Sequence, residues 1–140
     1  MSDPFDAVAD PAQVRLNRLL ADRMARPFAW GVQDCCIFAA DCVQALTGVD
    51  PAADVRGTYA DAAGALATLE AQGGITTVGA RAGAPIPPLD ARAGDVGVVR
   101  LDARDMLAVC VGALWLAPAA GGLAALPFTA AAQAWRVPRA

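Results

Sequence analysis

Cys35 follows an aspartate and opens a run of mostly apolar residues, CCIFAADCVQALTG, that reads as a helix. Unpaired backbone N–H groups at a helix N-terminus, together with the helix dipole, stabilise a thiolate. The same groups can bind a developing oxyanion. Asp34-Cys35 at the head of an apolar helix, with β-type sequence further on, is thus a layout suited to a cysteine hydrolase. By spacing alone a small core cysteine behind a helix cap fits better, because buried cysteine is a common core residue.

The chain contains no histidine. That removes Ser-His-Asp and Cys-His machinery, HExxH zinc sites and histidine haem ligation together. The four cysteines stand at 35, 36, 42 and 110. Adjacent Cys35 and Cys36 are unsuited to bridging each other, and there is no CxxC pair. Neither a zinc site nor any other metal or cofactor is expected from this pattern. Cys36, Cys42 and Cys110 read as core residues.

Among the acids, Asp34 reads as an N-cap before it reads as a catalytic group, and Asp95 as the closure of a turn. Asp102 and Asp105 are the carboxylates placed to reach Cys35. Arg56 and Tyr59 either line a cleft or fix the Arg-Gly turn, with the turn favoured. Trp30, Trp115 and Trp135 read as core or rim. An aromatic share of 6% offers no stacking platform for sugars.

The elements that must position these residues are helices first and strands after. Residues 11–26 form an amphipathic helix, with Pro11 in its first turn and Pro27 ending it. A short connector, FAWGVQ, leads to the helix over 35–47, capped by Asp34 and stopped by Gly48. Its apolar face uses Cys35, Ile37 or Phe38, Cys42, Ala45 and Leu46. A turn-rich loop precedes a third helix over 59–72, ended by Gly73-Gly74. The Pro/Gly-rich stretch 79–94 reads as a connection. Strands then follow over 95–100, 106–118 with a break at Gly112, and 122–128, with a last one in AWRV near the end. This is one α+β domain over 1–140, helical over about 11–74 and an antiparallel meander over about 94–137.

Bulk properties exclude several classes. The net charge is −3, and the eleven basic residues, all arginine, form no stripe, so nucleic acid is not an expected partner. The longest apolar stretch, 106–120, is broken by Gly112 and Pro118 and is too short to span a bilayer. The start, MSDPFDAVAD, lacks a signal pattern, so cytoplasmic synthesis is expected.

Trp30-Gly31, Asp34-Cys35 and an apolar helix ending in Thr47-Gly48 resemble the nucleophile segment of NlpC-like papain-fold peptidases. The Ser-Gly that usually follows the cysteine there is Cys36-Ile37 here. The segment 91–99, with Gly94-Asp95, resembles that family's Pro-Gly-Asp-Leu run into its first strand. Residues 106–112 resemble the next strand, which there opens on histidine, and 115–118 the one after. The likeness spans residues 27 to 118. It implies a papain-like (NlpC-type) fold with Cys35 in the nucleophile position.

The string is more similar still to uncharacterised small proteins of phage and prophage tail clusters. Those share WGxxDC, TGxDP (Thr47, Gly48, Asp50, Pro51), RGxY (Arg56, Gly57, Tyr59), a GD before a strand and a terminal AWR (134–136). That resemblance implies assembly into a phage or gene-transfer-particle tail tip, with other tail or hub proteins as partners and peptidoglycan peptides as a further ligand class.

Two departures bear on mechanism. Met106 falls at the histidine position and Leu116 at the third polar position. A thiol of pKa about 8.5 is only a few per cent ionised at neutral pH. A positioned base contributes roughly 10²–10⁴ in rate. The expectation is a catalytically degenerate domain acting as an adaptor. The alternatives are a cysteine peptidase or amidase whose base comes from a carboxylate or a partner chain, and a module that binds cell-wall peptides or glycans without turnover.

Overall fold

A computed structural model describes residues 10–139. Four α-helices stand among the described residues: α1 (Pro11–Arg23), α2 (Cys35–Thr47), α3 (Ala62–Ala71) and α4 (Ile75–Gly79). Six strands follow: β1 (Ala84–Ile86), β2 (Val96–Leu101), β3 (Arg104–Cys110), β4 (Leu114–Ala119), β5 (Gly122–Pro127) and β6 (Ala131–Arg136). They form one antiparallel sheet in the order β1-β6-β2-β3-β4-β5. The fold is α+β.

The helices start where side chains supply caps. Asp10 accepts from the Ala12 N–H ahead of α1, Asp34 from Ile37 ahead of α2, and Asp61 from Gly64 ahead of α3. Gly48 closes α2 in the left-handed conformation, at φ 80°. The first helix stops three residues short of the expected end at 26. The Met24 carbonyl accepts instead from Leu123 N–H of β5, and Phe28 N–H donates to the Ala119 carbonyl of β4. Pairing with the sheet there replaces a last helical turn. The third helix begins at Ala62 rather than Tyr59, because Asp61 provides the cap and Tyr59 is held elsewhere.

Two features of the sheet differ from the sequence reading. The Pro/Gly-rich stretch folds into a short 3-10 turn and the edge strand β1, in which Ala84 pairs with Arg136 and Ile86 with Ala134. Proline is tolerated there because only one side of an edge strand is paired. Nor is the sheet a plain meander. Only β2 to β5 follow each other, and β6 returns to the free side of β2 with a register irregularity at Val98/Val99.

Alternation along the strands builds two cores. Val96, Val98, Leu107 and Val109 face α1 and α2 and pack with Leu16, Phe38, Cys42 and Leu46. Val99, Ala108, Cys110, Trp115, Ala117 and Ala134 form a second cluster drawn from the sheet itself, with Ile86 and Leu126 coming from its two edge strands. The sheet therefore curls around Trp115, whose indole N–H donates to the Phe128 carbonyl at 2.9 Å.

Gly97 makes that curl possible. A Cβ there would lie 2.7 Å from the Trp115 ring and 2.9 Å from the Gln133 carbonyl oxygen. Gly97→Ala is expected to cost about 1–3 kcal/mol through overpacking, read as a fall in the urea midpoint at unchanged m value. A midpoint within error of wild type would show that the ring moves freely.

Candidate functional site

Asp34 fixes the head of α2 and everything around it. Its side chain is almost fully buried. Oδ1 accepts from the Ile37 N–H at 2.9 Å. Oδ2 accepts from the Gly31 N–H at 2.8 Å and from the Tyr59 hydroxyl at 2.6 Å. One carboxylate therefore joins the connector, the helix and the chain ahead of α3. Burial, followed by the bond to Asp34 and its charge, pushes the Tyr59 hydroxyl well above the ordinary phenol range.

Cys35 is the first residue of α2 and is half-buried. Its sulfur lies 3.9 Å from that of Cys36. The contact with the Cys36 thiol lowers the Cys35 pKa most. Burial and the Asp34 charge oppose this, while the backbone N–H groups of Leu107 and Cys36 add to it. Cys36 is driven the other way by the same pairing and by burial. The pair is thus asymmetric, with Cys35 the member favoured as thiolate. Cys42 and Cys110 are fully buried core residues, and burial raises both thiols.

A cavity of about 510 Å³ lies against Cys35. Its border is largely apolar, with Phe28, Trp30, Leu66, Ile75 and Met106 among the contributors. Phe28 and Trp30 meet edge to face, with centroids 4.6 Å apart. A second cavity of about 50 Å³ lies behind it between α2 and α3, and Cys36, Tyr59, Ala65 and Leu69 border both. No residue of α3 is buried, although the helix is apolar nearly all round. It roofs the space without filling it.

The strand opposite Cys35 brings some expected residues together and separates others. Met106 borders the cavity, but it packs with the second cluster, opposite Val99. Strand alternation gives the α2 side of β3 to Leu107, whose backbone N–H approaches the Cys35 sulfur. Leu116 is buried on β4 opposite Val109 and is not among the bordering residues. Asp105 borders the cavity and lies 3.8 Å from Arg100. Asp102 does not; it occupies the two-residue β2–β3 turn at φ 51°.

The remaining motif residues bind one another. Arg56 pairs with Asp50 and with Asp41, each at 2.6 Å, and Asp41 also holds Arg23 at 2.7 Å. The Arg56 guanidinium keeps the Asp50 carboxyl below its usual range. Arg56 therefore fixes its loop, while Tyr59 both fixes the loop and borders the cavity. Asp95 accepts from the N–H groups of Arg92 and Val137 and from Arg136 Nε at 2.9 Å, tying the start of β2 to the end of β6. Trp115 and Trp135 are core, and Trp30 is rim.

Sequence reasoning missed Phe28, Leu66 and Ile75 at the cavity. The legible signal was α3 itself, which lacks the polar face of a surface helix. Among the described residues no three His, Cys, Asp or Glu side chains are grouped to hold a metal. None of the described helices is long and apolar enough to cross a membrane.

A family model described as "Domain of unknown function (DUF6950)" matches residues 9–137, nearly the whole chain. No curated protein and no solved structure matches the sequence.

Proposed function

Since the chain belongs to the DUF6950 family, whose description carries no activity, we propose its role from its own site: a catalytically degenerate, NlpC-like papain-fold domain that serves as a structural or adaptor component of a phage-type tail tip. One observation carries the degenerate reading. Every motif acid is spent on a motif partner: Asp34 on Gly31 and Tyr59, Asp50 on Arg56, Asp95 on Arg136. The motifs hold the fold together and, among the described residues, leave the thiol without a base.

The cavity border offers no substitute. Tyr59 is locked as a donor to Asp34, and Arg104 is a cation. Asp105 is exposed beside Arg100, and a carboxylate is a poor proton donor to a leaving amine at neutral pH. The papain-like assignment is supported by a cysteine at the head of a central helix packed on an antiparallel sheet. The tail-tip placement rests on the motif set shared with tail-cluster proteins. The second reading, a peptidase completed by a partner's base, is favoured by the lowered Cys35 thiol beside an open cavity.

Incubation of the purified protein with muropeptides, followed by mass spectrometry beside a Cys35→Ala control, is expected to show no cleavage in either sample. Cleavage that disappears in the control overturns the degenerate reading. Mass spectrometry of gradient-purified particles from the producing strain tests the placement. The protein is expected in tails, with gold-labelled antibody at the distal end. Recovery only among free proteins would refute it.

A further inference from the structure

The missing base restricts what the Cys35 thiol can do, and the restriction selects a substrate class. Amide cleavage needs a proton delivered to the departing amine. Exchange with a thioester does not, because the leaving group is itself a thiolate. The cavity beside the thiol, at about 510 Å³, falls within the range of about 300–1,000 Å³ typical of small-molecule sites. Its apolar lining and the unburied apolar faces of α3 suit a hydrocarbon chain. Leu66 of α3 is 56% exposed at that border. Arg104 and Asp105 also border the same space.

We infer that the cavity accepts an acyl chain delivered as a thioester and that Cys35 takes over the acyl group. The Cys35 sulfur bonds to the carbonyl carbon while the carbon–sulfur bond of the donor breaks. The donor leaves as a thiolate and takes up the proton that Cys35 released, so no electrons are exchanged with a third party. Of the carboxylates at the border, Asp34 is held by Tyr59 and Asp105 lies beside Arg100, so water attacking the new thioester is weakly activated and the adduct persists. Cys35, not Cys36, is the first residue of α2, where unpaired backbone N–H groups favour the attacking thiolate, and the Cys36 sulfur lies 3.9 Å away. This inference rests on the reading of the site as lacking a base.

The test is incubation of the full chain with octanoyl-coenzyme A and, separately, acetyl-coenzyme A, followed by intact-protein and peptide mass spectrometry. The expected result is one hydroxylamine-labile octanoyl group on Cys35, absent from Cys35→Ala. Octanoyl transfer should exceed acetyl transfer by at least about tenfold, since the longer chain buries more apolar surface. Leu66→Asp, at an exposed position on that border, should remove that preference. No adduct, labelling spread over all four cysteines at the rate of the urea-unfolded chain, or equal octanoyl and acetyl rates would overturn the inference alone. Catalytic release of free octanoate, or Cys35-dependent muropeptide cleavage, would instead overturn the reading that the site has no base.

Discussion

Asp34→Ala is expected to lower the stability of the folded protein by roughly 3–5 kcal/mol, the largest effect of any single truncation at the site. The alanine leaves the Ile37 and Gly31 N–H groups and the Tyr59 hydroxyl without their shared acceptor, in a place with little access to water. An unsatisfied buried donor costs about 1–3 kcal/mol. Asp34→Asn keeps an acceptor for the helix N–H and is expected to lose about half as much. Tyr59→Phe removes one of the three bonds and is expected to cost about 1 kcal/mol. Urea unfolding at constant m value reads all three. Were Asp34→Ala to leave the midpoint unmoved while changing Cys35 reactivity, the residue would be part of the chemistry rather than the frame.

Iodoacetamide at neutral pH is expected to label Cys35 at least about a hundredfold faster than Cys42 or Cys110, which react only when the structure opens. Cys42 and Cys110 are both 0% exposed, whereas Cys35 borders a cavity. The sign of the pH dependence follows from the contact with Cys36. It lowers the Cys35 pKa, so the thiolate fraction, and with it the rate, rises at a lower pH than for an ordinary thiol. Cys36→Ala removes the largest of the lowering causes. The rate profile should then shift to higher pH and labelling at neutral pH should slow. A profile that stays put would assign the shift to the Leu107 and helix N–H groups. Equal labelling of all four cysteines would contradict the packing of α2 on β3.

The two experiments separate framework from reactivity because Asp34 and Cys35 are neighbours with different duties. The aspartate closes a helix cap and two longer connections. The thiol uses the N–H groups that the cap leaves in place. The other motif pairs divide in the same way. Asp50–Arg56 shapes the loop ahead of α3, and Asp95–Arg136 joins β2 to β6. Removing either pair would disturb the border of the cavity only through the elements it holds.

Local order in the sequence determined the class of the fold and the place of the thiol. Asp34 as a cap, Gly48 as a stop and Cys35 as the first residue of α2 all stand as the residues read, because such hydrogen bonds close within three or four positions. Burial of Cys42 and Cys110 and the absence of histidine were likewise legible. The tertiary structure alone decided what surrounds the thiol. Tyr59 reaches Asp34 across 25 positions and Arg136 reaches Asp95 across 41, separations that no helical or strand period encodes. The pairing of β6 with β2 and the folding of the Pro/Gly stretch into β1 depend on the same kind of distant partner. Met106 touches the cavity yet packs with the second cluster because pleating sends neighbouring side chains to opposite faces, and only the strand's register fixes which face is which.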